Sequence, residues 1–157
     1  MKSASLSELK KELSTLSPSK LQELCLRLAK YKKENKELLT YLLYESENEE
    51  VYIESVKQLV KEGFEGMNKS SVYLAKKSLR KILRITNKFI KYSGKAETEI
   101  ELLTYFLKEV KKSGIPIETS VVLTNLVNQQ FKKIEKTLST LHEDLQYDYR
   151  KELSRYQ

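Results

Sequence analysis

Arg80, Arg84, Lys88 and Lys91 recur at three- and four-residue spacing, so a helix through them carries a ladder of cations, each within a turn of the next. Lys76, Lys77 and Lys81 fall on the same arc, with Tyr73 and Asn87 among them. Residues 67–95 hold nine Lys and Arg and no Asp or Glu, which exceeds the net charge of +7 for the whole chain. Cations concentrated in this way raise a local positive potential that a mixed surface would cancel. Such a ladder can track a nucleic-acid backbone through counterion release without reading sequence. It can equally lie against an acidic protein. Anionic lipid ranks last, because the wide apolar arc behind the bases (Val72, Leu74, Ala75, Leu79, Ile82, Leu83, Ile85, Phe89, Ile90 and Tyr92) is the face a helix docks on its own core. Against all three stands a solvated face, or one neutralised by the acidic run from Glu45 to Glu54.

A second cluster closes the chain. Tyr147, Tyr149 and Tyr156 gather with Arg150 and Arg155. Tyr and Arg deliver large contact area with a polar end, as interface anchors do. A segment of this kind can hold a protein partner or a second copy as a homodimer.

Other reactive residue types do not assemble into a site. His142 is the one histidine; Glu143, Asp144 and Asp148 follow it, and a polar helix face explains them better than a weak cation site. Zinc and di-iron sites need more ligands than this. Cys25 shares an apolar stripe with Leu21, Leu24 and Leu28, which predicts a buried, inert thiol, and as the lone cysteine it cannot form an intramolecular disulfide, which points to a reducing, cytoplasmic setting. One histidine cannot complete a Ser-His-Asp set, and no Gly-rich phosphate loop is present. The expectation is a non-catalytic interaction module without cofactor or metal. Its leading partner is a protein; the alternative is sequence-nonspecific nucleic-acid binding through the basic helix 70–92.

The elements that must position these residues are helical. Four Gly and two Pro in 157 residues leave little turn material for a many-stranded fold. Ser5-Leu6-Ser7-Glu8 is a capping box, and Ser17-Pro18 sets a cap before a proline at the first helical position. A third helix is expected over about 35–44, and a fourth from Asn48 until Gly63 and Gly66 end it. The fifth starts at Asn68, Ser70 and Ser71 and stops at Gly94. The sixth spans about 96–112 before Ser113-Gly114-Ile115-Pro116. The last runs from about Glu118 to the C-terminus, bending near Leu141-His142. The reading is one all-α domain over 1–157 with six or seven helices. They would form antiparallel αα-hairpins in a compact bundle or a short helical-repeat superhelix. Met1 to Ser7 lacks the apolar core of a signal peptide, and no stretch is apolar enough to span a membrane.

Glu37-Leu38-Leu39-Thr40-Tyr41 recurs as Glu101-Leu102-Leu103-Thr104-Tyr105. This suggests an internal duplication over about 18–66 and 70–133, with chance recurrence in a Leu-rich chain as the other reading.

The chain also resembles a small bacterial family of uncharacterised all-helical proteins, a domain of unknown function. The likeness rests on Leu9-Lys10-Lys11-Glu12-Leu13 with Leu16, Leu21, Leu24 and Tyr31. It continues through Ala75-Lys76-Lys77, Phe89-Ile90, Glu101 to Leu107, and the stretch from Tyr147 to Tyr156. The resemblance implies an all-helical fold and leaves activity open.

Overall fold

Side-chain caps set most of the helix starts. In α1 (Leu6–Leu13) the Glu8 amide donates to the Ser5 hydroxyl, and the Ser5 amide donates back to the Glu8 carboxylate at 2.7 Å. The Ser5 amide first, and then the Ser5 hydroxyl, which donates to the same carboxylate at 2.8 Å, hold the Glu8 carboxyl below its usual pKa. Ser17 caps α2 (Pro18–Tyr31), and α3 (Lys33–Thr40) follows after the extended Lys32. Asn48 caps α4 (Glu49–Glu65) and Ser71 caps α5 (Val72–Ser93). Gly94 stops α5 at φ 67°, a left-handed conformation that glycine adopts without strain. Then come α6 (Ala96–Lys112), α7 (Val121–Leu138) and α8 (Glu143–Leu153). The computed structural model describes residues 2–156, and no strand occurs among them. A π-helical turn, Tyr41–Glu45, follows α3, and a 3₁₀ turn, Ile117–Thr119, precedes α7.

Two compact units divide the chain, residues 1–44 and 45–157. The division falls inside the first of the two proposed repeat copies. In the first unit α2 packs on α3, and the Asn35 amide donates to the Leu28 carbonyl at 2.8 Å. Tyr41 is its one buried residue among those described.

The second unit holds the hydrophobic core. Its α4 touches α5 and α6, α5 touches α6, and α6 touches α7. Helix α6 lies deepest, burying Ile100, Leu102, Leu103, Phe106, Leu107 and Val110. Phe64 and Phe106 meet with ring centroids 5.6 Å apart. Val56 and Val60 from α4, Leu79 and Ile82 from α5, and Leu123, Ile134 and Leu138 from α7 complete the core. The start of α4 meets the end of α5, where the Tyr52 hydroxyl donates to the Phe89 carbonyl at 2.8 Å.

Four expectations change. The described residues form eight α-helices, not six or seven, because the expected bend near residue 141 is a break. Ser139 and Thr140 turn their hydroxyls back onto the Lys136 and Thr137 carbonyls at 2.7 Å each, and His142 adopts an extended conformation to cap α8. Gly63 does not end α4. It sits inside the helix, where an added Cβ would meet Ile82 Cγ1 at 2.9 Å, so its role is close approach of α4 to α5. The third helix ends at Thr40, where the π-turn takes over. Cys25 is exposed, not buried, because the stripe it shares is only partly covered: Leu21 and Leu24 are half-buried and Leu28 is exposed.

Candidate functional site

The basic face of α5 exists because the opposite face docks on the core. Ala75, Leu79, Ile82, Thr86 and Ile90 are buried against the neighbouring helices, which leaves the cations to solvent. Lys77, Arg80, Lys81 and Arg84 are exposed and Lys76 is half-buried. Those five, with Asn68, Tyr73, Leu74 and Ser78, line an open groove of about 540 Å³. Tyr73 is 66% exposed, and Lys76 Nζ stands 5.5 Å from its ring centroid.

The sequence ladder of seven cations therefore separates. Lys88 leans over Phe89 and Tyr92, its Nζ 4.7 and 5.9 Å from their ring centroids. Lys91 is exposed in the last turn, away from the groove. Asn87 faces α7, where its side-chain oxygen accepts from Lys133 at 2.9 Å.

The acidic run does not neutralise the groove. Glu49 takes Lys95 at 2.7 Å and accepts from the Ser93 and Thr98 hydroxyls. Glu54 takes Lys57 at 2.8 Å, and Lys57 reaches Glu101 at 3.2 Å. Elsewhere in this unit Lys133 pairs with Glu99 and Arg150 with Glu135. Among the described residues no carboxylate comes within ion-pair distance of Lys76, Lys77, Arg80, Lys81, Arg84 or Lys91. The acids at the start of α4 lie beside the end of α5, and those at its end are engaged on their own helix, Glu62 accepting from Gln58 and Glu65 pairing with Lys61.

The C-terminal Tyr/Arg cluster spreads over three settings. Tyr147 and Arg155 are exposed. Tyr149 turns inward to a polar pocket of about 260 Å³, lined by Glu54, Lys57, Glu101, Tyr105, Lys108 and Glu152 among others. Its phenol bonds to Glu101; burial first, and then the Glu101 and Glu97 charges, push it up to about 12. Tyr105 beside it is raised too, chiefly by burial. Burial opposes the charge on Lys57, but its bonds to Glu54 and Glu101 outweigh that and hold it above its ordinary value. Tyr156 lines an apolar cavity of about 580 Å³ with Leu107, Val110, Ile115, Val127 and Phe131. Arg150 is tied to Glu135 and Gln146.

The periodicity in the sequence located the α5 cations but missed Lys57 between its two carboxylates: Glu54 lies three residues before it on α4, whereas Glu101 comes from α6, and no local spacing links that helix to Lys57. Around His142 the weak contacts are local: its Nδ1 lies 3.4 Å from the Asp144 amide. Among the described residues no group of three His, Cys, Asp or Glu could hold a metal ion. Compared with known proteins, the chain matches no family model, no curated protein and no solved structure, so the geometry of its own side chains carries the functional argument.

Proposed function

We propose that the chain is a non-catalytic helical interaction module that binds a protein partner through the basic face of α5, and that the matching surface of the partner is acidic. One observation carries this reading: Lys76, Lys77, Arg80, Lys81 and Arg84 converge on one groove without a carboxylate partner among the described residues, whereas Lys57, Lys95, Lys133 and Arg150 of the same unit are paired. Leaving five cations unpaired favours association with an opposite charge and speeds encounter with it. The non-catalytic part rests on the polar pocket. Lys57 is shared by two carboxylates and Tyr149 titrates near 12, far from the neutral range where acid–base catalysis works best. Pairing of the remaining helices as antiparallel hairpins, and membership of the small bacterial helical family, belong to the same proposal.

A second reading has its own observation. Tyr73 lies exposed among the bases, and an aromatic ring beside cations can stack an unpaired nucleobase. The two separate in one experiment. The full chain and its Arg80→Glu/Arg84→Glu variant are cross-linked in host lysate, with and without nuclease. A protein enriched by the wild type, lost with the variant and retained after nuclease supports the protein reading. Loss on nuclease, with direct binding of labelled single-stranded RNA that weakens steeply with salt, supports the nucleic-acid reading. Equal recovery by wild type and variant sinks both.

A further inference from the structure

The N-terminal unit carries apolar faces that its own packing leaves uncovered. Leu28 and Leu42 are 61% and 54% exposed, and with Cys25, Ala29, Leu38 and Leu39 they line an open groove of about 300 Å³ on α2 and α3. Leu6, Leu9 and Leu13 form a further exposed stripe along α1. Isolated surface leucines need no explanation, but a unit with one buried residue among those described, and with leucines exposed on α1, on α2 and in the π-turn, does.

Charge says what kind of surface covers them. Residues 2–44 contain nine Lys and Arg against five Glu, nine minus five giving +4. Lys20 pairs with Glu23 and Lys33 with Glu37, whereas among the described residues no carboxylate comes within ion-pair distance of Arg27, Lys30, Lys32 or Lys36. Tyr31, 77% exposed at the end of α2, stands between Lys30 and the pair Lys32 and Lys33. Tyr44 is 79% exposed just beyond α3. A second copy would set two +4 units face to face, which like charge opposes. An anionic bilayer surface satisfies every part: leucines enter the acyl boundary, phenols sit at headgroup depth, and ammonium groups meet phosphates. Among the described residues no helix is long and apolar enough to cross a membrane, so the contact would lie in the interface.

We propose that the α2–α3 face is a peripheral anchor for an anionic phospholipid surface. This differs from the reading of α5, where the apolar arc is occupied by the core; in α2 and α3 it is not.

Cys25 is the one cysteine of the chain and sits in the groove, so it reports the site directly. The full chain labelled there with a polarity-sensitive dye is titrated with vesicles of phosphatidylcholine containing about one-third phosphatidylglycerol, and with phosphatidylcholine alone. The expected result is a saturable blue shift with the anionic vesicles, weakened by salt. Leu28→Glu/Leu42→Glu should lower the apparent affinity by at least about tenfold, since each charge must enter the apolar boundary. Both positions are exposed, and circular dichroism checks that the helices remain. Co-sedimentation of the unlabelled chain controls for the dye. Arg80→Glu/Arg84→Glu should leave the Cys25 signal in place, which separates this site from α5. No shift with anionic vesicles, an equal shift with neutral ones, or a shift that follows protein concentration without lipid each overturns the proposal. The last would assign the face to a second copy.

Discussion

A methyl group at Gly63 would lie 2.9 Å from Ile82 Cγ1, and Ile82 is a buried β-branched side chain with little room to turn. Alanine favours a helix over glycine by about 1 kcal/mol, and here overpacking should outweigh that. Gly63→Ala is therefore expected to destabilise the chain by about 1–2 kcal/mol in urea unfolding, and a stabilised variant would contradict the packing argument. Tyr149 offers a test through pH. Its folded pKa is about 12 against the ordinary 10.0 of a tyrosine, so the unfolded chain releases this proton first. The stability it contributes is present in full below pH 10 and is lost as pH rises through about 12. The raised Lys57 acts in the same direction above its ordinary value. Melting temperatures should fall over that window, and Tyr149→Phe should fall less steeply than the wild type. At this scale the sequence identified residue types correctly, but not their company. Tyr149 and Tyr147 look alike in the sequence, yet one meets Glu101 and the other meets solvent.

Helix starts were legible because caps are local: Ser5, Ser17, Asn48 and Ser71 each bond an amide within three residues. Helix breaks were less so. Gly63 reads as a stop in isolation, whereas packing against Ile82 makes it an interior residue. The junction of α4, α5 and α6 was not legible, since Glu49 reaches Ser93, Lys95 and Thr98 across more than forty residues. Thr98 is fully buried. Glu49→Ala is expected to cost about 1–3 kcal/mol, because it leaves that hydroxyl without its acceptor and removes the Lys95–Glu49 ion pair. Glu49→Gln, which keeps an acceptor, should cost less. Equal losses for the two variants in urea unfolding would remove the hydrogen-bond argument. The recurring five residues make the same point. Leu102, Leu103 and Thr104 are buried in α6, whereas Leu38 and Leu39 are half-buried and Tyr41 leaves α3 for a π-turn.

Stability is distributed unevenly between the two units. Almost every buried residue lies in 45–157, so amides of α1–α3 should exchange with solvent at least about tenfold faster than those of α4, α6 and α7. Equal protection throughout would contradict this. Arg80→Glu/Arg84→Glu should leave the melting temperature nearly unchanged while altering partner binding, because both side chains are exposed and outside the ion pairs of the unit. The all-helical class, the positions of most helices and the location of the basic face were determined by the sequence alone. Hydrophobic period, caps and charge runs act over one or two turns, and so can be read without a fold. Whether the basic face stayed free, which tyrosines turned inward, and whether a leucine stripe met a core were decided by tertiary structure. Each depends on which distant helix supplies a carboxylate or a covering side chain, and no local spacing encodes that choice. Arg84 and Lys95 are both cations near one helix, yet only Lys95 has Glu49 beside it.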